Sequence, residues 1–221
     1  MADIVLVHGA HVGSWCWDYV APDLGERGHR VATVELHRGS LAADTIAAQE
    51  MVDGFDGAPL VVCGWSYGGM VITGLELPAR SQLAYVCAFM PDAGETASSL
   101  TEHHPTGFAA VIALDEAGDL VLTGENIDEF LWADAPPDRA ARARASLRSQ
   151  AIAPMIEPPL RVAWRDTPST YIVGRQDRVL HPDLQRALAH RATYVAEWDT
   201  SHAPMLSRPE LLIGLLDRLA G

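Results

Sequence analysis

The chain has 221 residues, 48% of them apolar and 20% charged, with a formal net charge of −13 and a pI near 5.0. This is an ordinary globular composition, long enough to bury one sizeable α/β core. Its acidic balance repels phosphate backbones and anionic lipid surfaces, so neither nucleic acid nor membrane is an expected partner.

The first apolar run, "DIVLVH" (3–8), begins without a basic segment ahead of it. No signal peptide or membrane anchor is therefore expected, and the simplest location is cytoplasmic. Cys16, Cys63 and Cys87 make an odd count, and the last two sit inside apolar runs, which reads as reduced thiols. A helix is predicted from Trp15 to Arg27 with Gly28 as its stop, then a strand in "HRVATVEL" (29–36) and an Ala-rich helix from Leu41 to Val52. "PLVVCG" (59–64) reads as a strand running into a helix from Ser66 to Leu77 that stops before Pro78, followed by a strand in "LAYVCAF" (83–89). The strands "STYIVG" (169–174) and "TYVAEW" (193–198) alternate with helices Pro182–His190 and Pro209–Leu219, each opened by a proline. Near-continuous apolar runs suit strands covered on both faces, and strands alternating with helices imply a mainly parallel sheet. The expected organisation is one α/β domain over 1–221.

Residues 91–168 break this rhythm. They show no convincing strand, but carry helical pieces over Asn126–Trp132 and Asp138–Gln150. The segment reads as a mostly helical cap over the C-terminal edge of the sheet, where ligands bind in open α/β sheets. Arg139, Arg142, Arg144 and Arg148 read as the solvated side of a cap helix.

The centre of the chain carries "GWSYGG", a Gly-x-Ser-x-Gly between a buried strand and a helix. That spacing is a nucleophile elbow, in which Ser66 is held on a sharp turn and Gly64 and Gly68 leave room for strand and helix to approach. A serine needs a base and a group that orients the base. Asp177 follows one strand in "GRQDRVLHP", and His202 follows the last strand in "WDTSHAPMLSRP", giving the order serine, acid, histidine. Asp92, after "AFM", and Asp199, beside the histidine, compete for the acid role; Asp177 is preferred. The backbone N–H groups of Tyr67 and Ala10 are the expected oxyanion hole. His8 reads as a loop-stabilising side chain, and His103 and His104 receive no role. His8 and His11 have no third ligand pattern, so no metal site is expected. Trp65, Phe130, Trp132, Met155 and Trp164 are candidates for pocket walls, although such residues also fill cores. Trp15 and Trp17 are assigned to packing.

The pieces "VLVHGAHVGSWCW", "GWSYGGMV", "AFMPD", "WRDTPSTYIVGRQDRVLHPDLQ" and "DTSHAPMLSRPELL" resemble the α/β-hydrolase superfamily. Within it they are similar to the branch of plant methylesterases, hydroxynitrile lyases and their bacterial relatives. The resemblance implies an α/β-hydrolase fold with about six mainly parallel strands and a short cap, entered at what would be the third strand of the full sheet. It implies Ser66, Asp177 and His202 as a triad, the Ala10 and Tyr67 amides as the oxyanion hole, and Asp92 outside the triad. The lyase members resemble one another in a threonine and a lysine where this chain has Gly9 and Ala203, which places it on the esterase side. The expected reaction is hydrolysis of a small carboxylic ester through an acyl-enzyme, with no metal or organic cofactor. A lyase, a tailoring or cyclising enzyme and a non-enzymatic small-molecule receptor are the alternatives. An exposed apolar cap surface would favour a homodimer.

Overall fold

The computed structural model describes residues 1–55 and 59–221. Strands β1 (Asp3–Val7), β2 (Arg30–Val34), β3 (Leu60–Trp65) and β4 (Ser81–Val86) lie in its first half. A short antiparallel hairpin, β5 (Ile112–Leu114) and β6 (Leu120–Leu122), precedes β7 (Ser169–Gly174) and β8 (Tyr194–Trp198). The hairpin apart, six strands form one parallel sheet in the order β2-β1-β3-β4-β7-β8. The helices are α1 (Ala21–Glu26), α2 (Leu41–Asp53), α3 (Gly68–Thr73), α4 (Ala97–Thr101), α5 (Ile127–Leu131), α6 (Pro137–Ala145), α7 (Ala153–Ile156), α8 (Pro182–Ala189), α9 (Pro204–Ser207) and α10 (Pro209–Leu219). Among the described residues no helix is long and apolar enough to cross a membrane.

The period-2 geometry of a strand divides the core. Ile4 and Leu6 of β1 pack with Trp17, Leu24, Leu212 and Leu216 on one face of the sheet. Val5 and Val7 pack with Ala48, Val71 and Leu188 on the other. β1 and β3 are buried at every residue, as their unbroken apolar runs require. The edge strands differ: β2 is half-exposed and β8 is exposed from Tyr194 to Glu197. An edge strand lacks a neighbour on one side, and here helices cover it incompletely, so continuous hydrophobicity overstates the burial of these two. Cys16, Cys63 and Cys87 are buried free thiols.

Three helices and one hairpin depart from expectation. The first helix is divided: a 3-10 turn over Ser14–Trp17 precedes α1, which restarts at Ala21 with Pro22 in its first turn, where a missing N–H is harmless. α3 stops at Gly74, short of the expected Leu77. α6 ends at Ala145, because the chain beyond Ser146 turns back to pair Gln150 with Leu120. Segment 91–168 also contains the β5–β6 hairpin, closed by Asp115, whose Oδ1 accepts from the N–H groups of Ala117 and Asp119, and by Gly118 at φ +85°.

The four arginines are exposed or half-exposed, as a solvated side requires, but each guanidinium is also engaged. Arg139 donates to the Leu206 carbonyl at 2.9 Å and lies over the Tyr19 ring, and Arg142 pairs with Asp18. Arg144 donates to the Glu125 and Gly124 carbonyls, and Arg148 donates to the Val12 carbonyl at 2.7 Å and pairs with Glu35. Arg139 ties segment 91–168 to α9, Arg142 ties it to the chain just before α1, and Arg148 ties it to the residues after β1 and β2; Arg144 ties that segment to itself.

Two glycines give opposite expectations. A methyl at Gly69 would sit 1.9 Å from the Phe89 carbonyl oxygen, so Gly69→Ala is expected to cost about 3 kcal/mol or prevent folding. Exposed Gly25 in α1 has open space around it, so Gly25→Ala is expected to stabilise by ~0.5–1 kcal/mol. Urea denaturation of both variants checks the pair.

Candidate active site

The parallel register aligns the strand ends that carry the site. Val7 pairs with Gly64, Trp65 with Val86, and Gly174 with Trp198, so the loops after β1, β3, β4, β7 and β8 emerge at one edge. Ser66 follows β3 at φ +55°, a left-handed conformation that costs a non-glycine residue about 1–2 kcal/mol. The turn is held by its surroundings. Ser66 N–H donates to the Val86 carbonyl at 3.3 Å, while its own carbonyl accepts from Gly69 and Phe89. Methyl groups at Gly64 and Gly68 would fall 2.7 Å and 2.5 Å from backbone oxygens, so the α3 start, the β3 end and the β1 end can meet only without side chains.

The structure brings Ser66, His202 and Asp177 together. Ser66 Oγ lies 2.9 Å from His202 Nε2, and His202 Nδ1 lies 2.7 Å from Asp177 Oδ2. The carboxylate can only accept here, so Nδ1 carries the proton and Nε2 offers its lone pair to the serine hydroxyl. All three are buried, Ser66 keeping 8% of its surface, His202 1% and Asp177 4%. Asp177 is further held by the N–H groups of Val179 at 2.7 Å and Leu180 at 3.0 Å on Oδ1. The competing carboxylates are engaged elsewhere: Asp92 with Arg165 and the Ala93 N–H, Asp199 with Gln176. The histidine loop is fixed from two sides, by Trp65 Nε1 donating to the His202 carbonyl at 2.7 Å and by Ser201 donating from N–H and hydroxyl to Asp134.

Ala10 follows β1, and the N–H groups of Ala10 and Tyr67 donate to no acceptor among the described residues. The loop that carries Ala10 is clamped: Arg148 N–H donates to the His11 carbonyl, and the Arg148 carbonyl accepts from His11 Nδ1 at 3.3 Å. His8 Nδ1–H donates to the Gly9 carbonyl at 2.7 Å, and its Nε2 accepts from Leu36 N–H at 3.1 Å. Tyr67 is anchored by its hydroxyl, which donates to buried Asp44 at 2.8 Å.

Beside Ser66 lies a cavity of about 230 Å³. Among the described residues its walls are Ala10, His11, Tyr67, Phe89, Ala97, Ser98, Thr101, Phe108, Ile112, Leu120, Met155, Val179 and Leu180, with no acidic residue, lysine or arginine. A larger groove of about 620 Å³ along Thr45, Gln49, Pro78 and Arg161 contains none of the three site residues. Of the five expected wall residues, Met155 lines the cavity. Trp65 is 1% exposed and supports the His202 loop instead; Trp132 is equally buried, its Nε1 donating to Asp128. Trp164 donates to the Pro91 carbonyl, and Phe130 borders an outer cleft with Thr106 and Arg178. His11, Phe89, Val179 and Leu180 line the cavity and are absent from the expected walls; the cue each offers is its place beside a strand end or a motif residue. His103 is exposed and His104 half-buried, its ring 6.2 Å from that of His181.

The alpha/beta hydrolase family model matches residues 4–215 of this sequence. The chain belongs to that family. It is 29% identical to the alpha/beta hydrolase nvfD of Aspergillus novofumigatus over 75% of this chain and 71% of the relative. It is 27% identical to methylesterase 2 of Arabidopsis thaliana over 94% of this chain and 92% of the relative. The crystal structure of a pyrethroid hydrolase from Sphingobium faniae JZ-2 superposes with a TM-score of 0.84 at 25% identity, over 99% of this chain and 97% of that one.

Burial pushes the His8 imidazole down to about 3 and that of His11 to about 4, so both are neutral in the fold. Unfolded histidine protonates near 6.5, so between these values the unfolded chain binds more protons and stability rises with pH. Stability is fully present above 6.5 and is lost as the pH falls. His8 alone is expected to remove on the order of 2 kcal/mol between pH 7.5 and 5. Urea denaturation at both pH values should show that slope reduced in His8→Gln; equal slopes would contradict it.

Proposed function

We propose that this α/β hydrolase is a serine esterase that cleaves a small, neutral carboxylic ester through an acyl-enzyme. The observation that carries the reading is the contact of Ser66 Oγ with a buried, acid-paired imidazole at 2.9 Å, beside a cavity with no ionised wall residue. The names of its relatives, a methylesterase and a pyrethroid hydrolase, support ester chemistry in this family.

In the proposed reaction His202 Nε2 takes the hydroxyl proton as Ser66 Oγ attacks the ester carbonyl, and Asp177 stabilises the resulting imidazolium. The Ala10 and Tyr67 N–H groups receive the developing oxyanion. The His202 proton passes to the departing alcohol, and a water molecule then repeats the sequence on the acyl group, releasing the acid. The apolar walls, Phe89, Phe108, Ile112, Leu120 and Met155, fit hydrocarbon on the acyl or alcohol side, and the small volume limits its size. The lyase alternative is disfavoured by the same cavity, whose walls offer no cation to a departing anion. The free buried thiols support a reducing, cytoplasmic location.

Purified protein is expected to hydrolyse p-nitrophenyl acetate with saturation kinetics, and Ser66→Ala to lose at least about 10³-fold in kcat while remaining folded. Equal rates for the two proteins, or no turnover by either with a panel of methyl and aryl esters, would count against the esterase reading.

A further inference from the structure

We infer that Gln185 is a positioning residue of this site, holding the Asp177 carboxylate for His202; the inference rests on the proposed roles of those two residues. Gln185 lies on α8 between Leu184 and Leu188, on the face packed into the core, and is fully buried. A core position would ordinarily be filled by an apolar side chain, because an amide buried without partners is costly. Here every polar atom of the amide is used. Nε2 donates to Asp177 Oδ2 at 2.7 Å and to the Leu180 carbonyl at 2.8 Å, and Oε1 accepts from Gly174 N–H at 3.0 Å.

Those partners are the last residue of β7, the acid itself and the residue that closes the acid loop. One side chain therefore ties the beginning, middle and end of the turn that carries Asp177. Oδ2 is also the oxygen that meets His202 Nδ1 at 2.7 Å, so Gln185 and His202 share one carboxylate oxygen while Val179 and Leu180 hold the other. The carboxyl group cannot rotate towards or away from the imidazole without breaking one of these bonds. The position requires a donor and an acceptor in one planar group: an ionised carboxylate supplies acceptors alone, and an aliphatic chain supplies neither.

The experiment compares Gln185→Met, which keeps the bulk and removes all three bonds, with Gln185→Glu. The introduced carboxyl keeps the shape, but donates towards Asp177 only while protonated. Around Asp177 the titratable neighbours are His202, Cys87 and Tyr171; burial holds the Cys87 thiol and the Tyr171 phenol well above their usual ranges. On α8 itself Asp183 and Arg186 are exposed and pair with each other, and His181 stands at the helix start. A pH dependence of the Gln185→Glu ratio would thus originate in the introduced carboxyl, acting on Asp177 directly or on the His202 that shares Oδ2.

With p-nitrophenyl acetate, Gln185→Met is expected to lose on the order of 10- to 100-fold in kcat with KM changed by less than about threefold. The activity of Gln185→Glu relative to the unaltered protein is expected to fall from pH 5.5 to pH 8.5. A kcat for Gln185→Met within about twofold of the unaltered protein, or a Gln185→Glu ratio independent of pH, would overturn the inference. Ser66→Ala in the same assay separates the two levels: loss of its turnover with unchanged Gln185 variants overturns the positioning role alone. Persistent turnover in Ser66→Ala overturns the esterase reading beneath it.

Discussion

Everything at the candidate site depends on the backbone of Ser66 being held at φ +55°. A left-handed serine is unfavourable by itself and persists because three strand ends converge on it. Its carbonyl is shared by Gly69 and Phe89, and Gly64, Gly68 and Gly69 have no space for a methyl group. The close approach of α3 to the ends of β1, β3 and β4 is thus a steric condition on the fold, and it lifts the hydroxyl out of the sheet towards the loops.

The other two residues reach Ser66 by a different kind of constraint. Asp177 and His202 stand on loops, and loops are precise only where something outside them fixes their backbone. Trp65 and Asp134 hold the histidine loop, Gln185 and two backbone N–H groups hold the acid, and Arg148 holds the loop of Ala10. Two of these groups, Asp134 and Arg148, belong to segment 91–168. That segment therefore both lines the cavity, through Phe108, Ile112, Leu120 and Met155, and stiffens the site from above.

The sheet and the three converging residues were legible because each has a local signature. Unbroken apolar runs marked β1, β3 and β7, the Gly-x-Ser-x-Gly spacing marked the elbow, and strand-end positions marked Asp177 and His202. Features set by tertiary contact were not. The β5 and β6 strands are three residues each, too short for a periodic pattern, although the Asp115–Gly118 turn between them was a usable cue. The division of the first helix turned on Pro22, whose position inside the pattern outweighed the apolar spacing around it. Of the expected walls, Met155 lines the cavity beside Ser66 and the three tryptophans do not, for a physical reason: aromatic size says that a residue is buried, not which space it faces. Trp65, Trp132 and Trp164 all spend their indole N–H on acceptors away from the cavity. Gln185 sat inside a matched motif, but a buried amide has no sequence pattern of its own.

The central claim is that His202 makes Ser66 a nucleophile, and covalent labelling tests it most directly. The purified protein would be treated with an alkyl fluorophosphonate and followed by intact mass, with peptide mapping of the adduct. The account predicts one adduct per chain on Ser66, forming quickly in the unaltered protein and at least about 10²-fold more slowly in His202→Ala. Labelling elsewhere, or at the same rate without His202, would contradict it.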